Sequence, residues 1–143
     1  MASDYLLDTN IVSAAMRGEP RALLNRLAGL AIERLHLSAL VLAELATGAE
    51  LGSRRAATLA AVHDVTAGMP VLPFDDGDAL TYARIRAALE RKGKMIGQLD
   101  CLIAAQAVAR GLVLVTDNLR EFQRVPGLRC ENWMHRKESG ASR

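Results

Sequence analysis

The sequence predicts an α/β domain with a central, mostly parallel sheet flanked by helices, and three features point there. Short apolar runs that read as strands alternate with longer helical segments from Tyr5 to Glu131, the order that builds a parallel sheet covered by helices. Half of the 143 residues are hydrophobic and only 3% are aromatic; the apolar set is mostly Ala and Leu, which suits packed helices better than a β-sandwich. No linker, repeat or low-complexity segment interrupts the alternation, so one domain is expected, in keeping with the usual domain size of roughly 100–150 residues. With 24% charged residues, the chain is too apolar and too moderately charged to be disordered.

Tyr5-Leu6-Leu7 reads as a buried strand that stops at the capping cluster Asp8-Thr9-Asn10. Ile11 to Arg17 is helical and Gly18 closes it. Glu19-Pro20 opens a second helix, with Pro20 expected at the first helical position, where a missing N–H does no harm. Leu23, Leu24, Leu27, Leu30 and Ala31 recur at helical spacing and form its apolar face. Leu35-His36-Leu37 is a weak strand, lacking β-branched residues. Ser38 caps a third helix from Ala39 to Leu51, which Gly52 ends, and Arg54 to Ala67 forms a fourth, stopped by Gly68 and Pro70. Val71 to Phe74 is the next strand. Asp75 or Asp76 caps a long helix to Lys92, with Gly93 as its stop. Gln98 to Arg110 is helical again, ended by Gly111, and leads into Leu112-Val113-Leu114-Val115, the clearest strand because it is wholly apolar. A helical turn at Leu119 to Phe122 and an edge strand at Leu128 to Glu131 complete the order.

Several function classes are excluded. Two cysteines, Cys101 and Cys130, make neither a disulfide framework nor a four-ligand zinc site; both are expected to be buried thiols in a cytoplasmic protein. The segment from Met1 to Leu7 carries Asp4 and no basic region, unlike a signal peptide. The longest apolar stretch, Leu37 to Leu51, is broken by Ser38, Glu44 and Glu50, whereas a spanning helix needs about 20 mostly apolar residues; no membrane association is expected. His36, His63 and His135 lack the spacing of a metal site or triad, and His36 reads as structural. No nucleophile elbow, Walker A loop or dinucleotide fingerprint occurs. The net charge of +2 permits an anionic partner without requiring one.

In an open α/β sheet, ligands bind beyond the carboxyl ends of the strands. Four acidic residues are placed to reach that edge: Asp8 after the first strand, Glu44 in the second turn of the third helix, Asp100 in the first turn of the helix from Gln98, and Asp117 after the strongest strand. Each has an ordinary reading too. Asp8 and Asp117 cap helices, a contribution of about 1 kcal/mol; Asp100 complements a helix dipole; Glu44 is a solvated side chain. Yet Glu44 stands inside Ala39-Leu40-Val41-Leu42-Ala43-Glu44-Leu45-Ala46, too apolar for a plain exposed stripe. Gathered carboxylates repel one another, and a site that holds several of them usually holds a cation. Oxygen-only donors suit Mg²⁺ or Mn²⁺, ions that activate water and stabilise the leaving oxygen of a phosphodiester.

Four motifs then carry a family resemblance. Leu7-Asp8-Thr9-Asn10 resembles the opening motif of PIN-domain nucleases, and Val41-Leu42-Ala43-Glu44-Leu45 matches the family's second acid. Gly97-Gln98-Leu99-Asp100-Cys101-Leu102-Ile103-Ala104-Ala105 looks like its central motif. Leu114-Val115-Thr116-Asp117-Asn118, with Glu121-Phe122, Arg124-Val125-Pro126-Gly127-Leu128 and Asn132-Trp133, is similar to the C-terminal stretch of VapC-type toxins. The motifs fall in the family's order and span Leu7 to Trp133. The resemblance implies a PIN-like domain over residues 1–134 with a polar tail at 135–143. It also implies a Mg²⁺-dependent endoribonuclease, with Mn²⁺ as a substitute, acting as the toxin of a toxin–antitoxin pair. Substrate RNA (tRNA or rRNA), a VapB-type antitoxin, a homodimer and a toxin–antitoxin hetero-oligomer are its implied partners. Asp8, Glu44 and Asp100 would be the central acids, with Asp8 and Asp100 the direct metal ligands. Either Asp117 or Asn118 would be the fourth group, Asp117 favoured for its charge. Thr9 and Thr116 would orient carboxylates or a water, and Asn10 would do the same or cap the first helix.

Lys92 and Lys94 flank Gly93 just before the central motif and are expected phosphate contacts, Gly93 baring the backbone between them. Their plain alternative, shared with Arg17, Arg21, Arg84, Arg86 and Arg91, is a solvated helix face. Trp133 is expected to pack against the core or an edge. The Ala56-Ala57 and Ala60-Ala61 pairs suit close helix packing in the core, or else a dimer or antitoxin contact. A phospho-accepting receiver domain is the competing class. Receivers place paired acids after the first strand, whereas Asp8 stands alone, and no Lys-Pro follows Thr116.

Overall fold

The computed structural model describes residues 3–135. Among the described residues lie five strands, seven α-helices and one 3-10 turn. The chain runs β1 (Tyr5–Leu7), α1 (Thr9–Arg17), α2 (Arg21–Ala28), the 3-10 turn (Ile32–Arg34), β2 (Leu35–Ser38), α3 (Ala39–Leu51), α4 (Arg55–Thr66) and β3 (Val71–Leu72). It continues through α5 (Asp76–Arg91), α6 (Gln98–Arg110), β4 (Val113–Val115), α7 (Leu119–Phe122) and β5 (Cys130–Glu131). The strands form one sheet in the order β3-β2-β1-β4-β5, and every pairing is parallel. The α/β class is as expected. The order reverses direction between β1 and β4, which is where a doubly wound sheet opens a crevice. A receiver would instead show the flavodoxin-type order 2-1-3-4-5.

β1 and β4 lie at the centre with Leu6 in register with Leu114 and Leu7 with Val115. All their residues are buried, because helices cover both faces of a parallel sheet and a strand buried on both sides must be apolar throughout. α6 contributes Cys101 and the buried run Ile103 to Ala107; its alanines let the helix approach its neighbours closely, and α5 packs along it. Trp133 is buried with its ring edge against Tyr5, centroids 4.8 Å apart. Cys101 is buried but Cys130 only half so.

Element ends differ from the sequence expectation for local reasons. α1 starts at Thr9 because Asp8 itself occupies the N-cap. Pro20 sits at the N-cap of α2 in extended backbone, one residue before the helix, and α2 ends at Ala28, leaving Leu30 beyond it and Ala31 exposed. The start of β4 moves to Val113 because the Leu112 N–H is engaged in closing α6, donating to the Ala107 carbonyl at 2.9 Å beside left-handed Gly111. β3 stops at Leu72, since Pro73 has no N–H for the ladder. The carbonyls there turn to side chains: buried Gln106 donates from Nε2 to the Leu72 and Pro73 oxygens at 3.2 and 3.1 Å, and Arg110 donates to Pro73 at 2.7 Å. Asp75, not Asp76, caps α5, in a reciprocal capping box with Asp78. The alanines of α4 do not pack the core: Ala56, Ala57 and Ala60 are exposed, and Val62 is the buried residue of that helix.

No helix of the described residues is long and apolar enough to cross a membrane. Of the expected polar tail, residues 135–143, residues 136–143 lie outside the described residues.

Candidate active site

The site is built at the crevice between the ends of β1 and β4. Asp8 follows β1 directly, anchored by its own N–H donating to the Val115 carbonyl at 3.0 Å. Its side chain is 5% exposed. Oδ1 accepts the Thr9 N–H at 2.8 Å and Oδ2 accepts the Thr116 hydroxyl at 2.9 Å. Burial pushes the Asp8 carboxyl up from its ordinary range; the hydrogen bonds from Thr116 and Thr9 pull the other way, and the charges of Glu44 and Asp117 add to the rise. The capping and site readings of Asp8 are therefore compatible, since one carboxylate serves both.

Thr116 is fully buried. Its N–H donates to the Glu131 carbonyl at 3.0 Å, and its hydroxyl oxygen also accepts the Asn118 N–H at 3.0 Å. This hydroxyl thus fixes the turn after β4 and clasps Asp8 at once. Asp117 points to the exposed rim, where its Oδ1 accepts from Asn10 Nδ2 at 3.5 Å. Asn118 turns inward and donates from Nδ2 to Glu121 Oε2 at 2.7 Å.

Across the crevice, Asp100 rides in the first turn of α6. Burial first, then the charges of Asp8, Glu121 and Glu44, raise its pKa to about 6. An acid raised by burial and by like charges together marks a place where carboxylates are held near one another in partial exclusion of water. Glu44 projects from the exposed side of α3 and adds charge to both Asp8 and Asp100. Asp8, Glu44 and Asp100 thus lie within reach of one another's charge, while Asp117 reaches Asp8 alone among the expected acids.

The sequence reading passed over Glu121 as a site residue. Its carboxylate joins α7 to the start of α6, accepting from Asn118 at one oxygen and from the Gly97 N–H, at 3.3 Å, at the other. Its place one helical turn after Asp117 and Asn118 was the available signal. The Asn118 amide is engaged by Glu121. Of the two readings of Asn10, contact with a carboxylate is the one present, at Asp117, and Asp8 takes the cap of α1. Lys92 and Lys94 are exposed, but Gly93 does not bare the backbone between them: with φ +64° it closes α5, its N–H donating to the Glu90 carbonyl at 3.1 Å and that of Lys94 to Leu89 at 2.9 Å. Only the two ammonium groups are free for a phosphate.

The donors around the crevice are oxygens, which fit a hard divalent cation. Thr9 Oγ1 is buried there with no hydrogen-bond partner among the described residues, an acceptor free for a metal-bound water. Among the described residues, no group of three or more His, Cys, Asp or Glu side chains is placed to hold a metal ion by itself.

Residues 5–128 match the family model described as "PIN domain". The chain is 40% identical over 129 residues to the tRNA(fMet)-specific endonuclease VapC of Salmonella typhimurium, an alignment covering 90% of this chain and 97% of that protein. It is 38% identical over 133 residues to Ribonuclease VapC2 of Haemophilus influenzae, covering 91% and 98%. Among solved structures it resembles the DNA-bound VapBC of Salmonella typhimurium, with a TM-score of 0.86 at 39% identity over 92% of this chain and 99% of that one.

Proposed function

The chain belongs to the PIN-domain family, and on that premise we propose that it is a Mg²⁺-dependent endoribonuclease, the toxin of a VapBC-type pair working in the cytoplasm. The observation that carries this reading is the rim of acids around Asp100, whose pKa is raised to about 6 by burial first and then by the charges of Asp8, Glu121 and Glu44. Asp8 and Asp100 would hold the ion, Mg²⁺ or in its place Mn²⁺, with Glu44 and Glu121 beside them. The ion, when bound, would supply an activated water and charge stabilisation at the phosphodiester. The chain's own residues do the positioning. Thr116 and the Thr9 N–H hold both oxygens of Asp8 in one orientation, and Asn118 holds Glu121 toward Asp100. Asp117, exposed and steadied by Asn10, stands at the mouth. Lys92 and Lys94 would meet phosphates outside the crevice.

The family relatives name tRNA(fMet) as the substrate of one member and VapBC complexes as assemblies of others. For this chain we infer a structured RNA such as tRNA as substrate, a VapB-type antitoxin as inhibitor and a homodimer within the hetero-oligomer. An antitoxin presenting Arg or Lys would neutralise the same carboxylates. The test is cleavage of RNA by purified protein with Mg²⁺ and with chelator, alongside Asp8→Asn and Asp100→Asn. Both variants should fold and lose cleavage; a wild-type rate from either would overturn the assignment. Co-expression with the neighbouring small reading frame should suppress cleavage.

A further inference from the structure

A second concavity lies beside the carboxylate rim, between α2, α7 and β5, with a volume of about 710 Å³, within the range of small-molecule sites. Ala22 and Leu119 give it apolar lining. The Arg26 guanidinium lies over the Trp133 ring, 4.8 Å from its centroid, and its Nη2 is 3.2 Å from Glu131 Oε1. Trp133 Nε1 donates to that same oxygen at 2.9 Å. Arg26 is thus a cationic plane held in place by an aromatic face below and a carboxylate at its edge. Asn132 accepts the Met134 N–H at its Oδ1, which leaves its amide NH₂ as a donor, and Asn25 brings a second amide.

We propose that this cavity is a base-binding subsite: it seats the nucleobase of the nucleotide next to the scissile phosphate and gives cleavage a base preference at that position. A base presents a π-face together with donors and acceptors on its edge. The cavity offers the Arg26 plane for stacking, amide groups from Asn25 and Asn132, and a Glu131 carboxylate for the edge. Contiguity with the rim favours RNA over a protein segment. Glu131, whose side chain holds Arg26, receives the Thr116 N–H on its carbonyl at 3.0 Å, and Thr116 clasps Asp8. Leu119 lies two residues beyond Asp117. The thiol of Cys130, which also lines the cavity, is raised to about 11, mostly by burial and further by the charge of Asp8. A strand whose phosphate sits at the acids would have this cavity next along its path.

The proposal rests on the nuclease reading for its functional consequence but not for its binding test. Trp133 is the chain's single tryptophan, so its emission reports on the cavity. Metal-free protein is titrated with AMP, GMP, CMP and UMP, with N-acetyltryptophanamide as the optical control. Saturable change with at least one of them is expected, reduced tenfold or more in apparent affinity by Arg26→Ala and by Asn25→Ala. Arg26→Lys separates stacking from the ion pair: it keeps a charge for Glu131 but not the plane, so it should not restore nucleotide binding. In parallel, wild type and variants cleave an RNA pool randomised on both sides of the mapped cut. Base preference at one flanking position should fall at least tenfold in the variants. The proposal is overturned if no nucleotide up to millimolar concentration alters Trp133 emission, if the variants slow all sequences equally, or if they weaken only the antitoxin complex. Nucleotide binding without any cleavage by wild type would instead leave the subsite standing and refute the nuclease reading.

Discussion

Thr116 Oγ1 donates a buried 2.9 Å hydrogen bond to Asp8 Oδ2 across 108 residues of chain. It joins the ends of the two central strands and orients a carboxylate whose pKa burial raises and this hydrogen bond lowers. Thr116→Val keeps the shape while removing both the donor to Asp8 and the acceptor for the Asn118 N–H. We expect a loss of about 1–2 kcal/mol in stability, and a drop in single-turnover cleavage that exceeds what the stability change explains. Thr116→Ser should recover both. Urea melts and cleavage rates on the three proteins check this.

Asp100 predicts a pH dependence of definite sign. Its folded pKa of about 6 lies above the ordinary 3.8 of an aspartate, so between these pH values the folded protein holds a proton that the unfolded chain releases. Metal-free protein should therefore lose stability as pH rises from about 4 through 6. Because Asp100 is partly solvated, we expect about 1 kcal/mol rather than the full value of the shift. Asp100→Asn should melt higher than wild type at pH 7.5 and converge with it near pH 4. Mg²⁺ should stabilise wild type much more than the variant, with apparent affinity falling below pH 6 as protons compete for the site. A melting temperature of Asp100→Asn below wild type at pH 7.5 would contradict the electrostatic picture.

Glu121→Gln keeps an oxygen for the Gly97 N–H but removes a charge beside Asp100. Weakening of the apparent Mg²⁺ affinity by roughly 10-fold or more is expected, as for groups that support metal ligands. The Asp100 titration should move down toward the ordinary carboxylate range. Carboxyl NMR titration and the Mg²⁺ dependence of cleavage measure the two effects separately.

Away from the site, Arg110 compensates Asp78, whose side chain is 2% exposed and lies 3.0 Å from Arg110 Nη2. Asp78 Oδ2 also accepts the Asp75 N–H at 2.9 Å. Arg110→Leu leaves that buried carboxylate without its cation and the Pro73 carbonyl with Gln106 as its remaining donor, so we expect a loss of about 3 kcal/mol. Adding Asp78→Asn should return part of it, a coupling that a double-mutant cycle in denaturant detects. RNA cleavage at low temperature should persist in Arg110→Leu, because Asp100 lies at the opposite end of α6.

The legible parts of this protein were those governed by neighbours in sequence. Ser38, Gly52 and Gly111 bound their helices as expected because caps satisfy backbone groups within a few residues. Asp8 and Asp117 stood out because they follow apolar strands directly. The same locality explains the misreadings. Gly93 resembles a phosphate loop, yet its hydrogen bonds close a helix, and the α4 alanines resemble core packing, yet Ala56, Ala57 and Ala60 are exposed and Ala61 is only half-buried. Glu121 went unassigned because its second partner, the Gly97 N–H, is 24 residues away.

Alternating periodicity and helix capping, both properties of short segments, sufficed for the α/β class, the helix order and the acids at strand ends. Which acids share a crevice was decided in three dimensions. The strand order β3-β2-β1-β4-β5 brings the β1 and β4 ends together, and α6 then carries Asp100 to the same opening. Carboxylate repulsion grows as distance shortens and water is excluded, so the property that sets Asp100 apart does not exist in any segment of the chain until the sheet has closed around it.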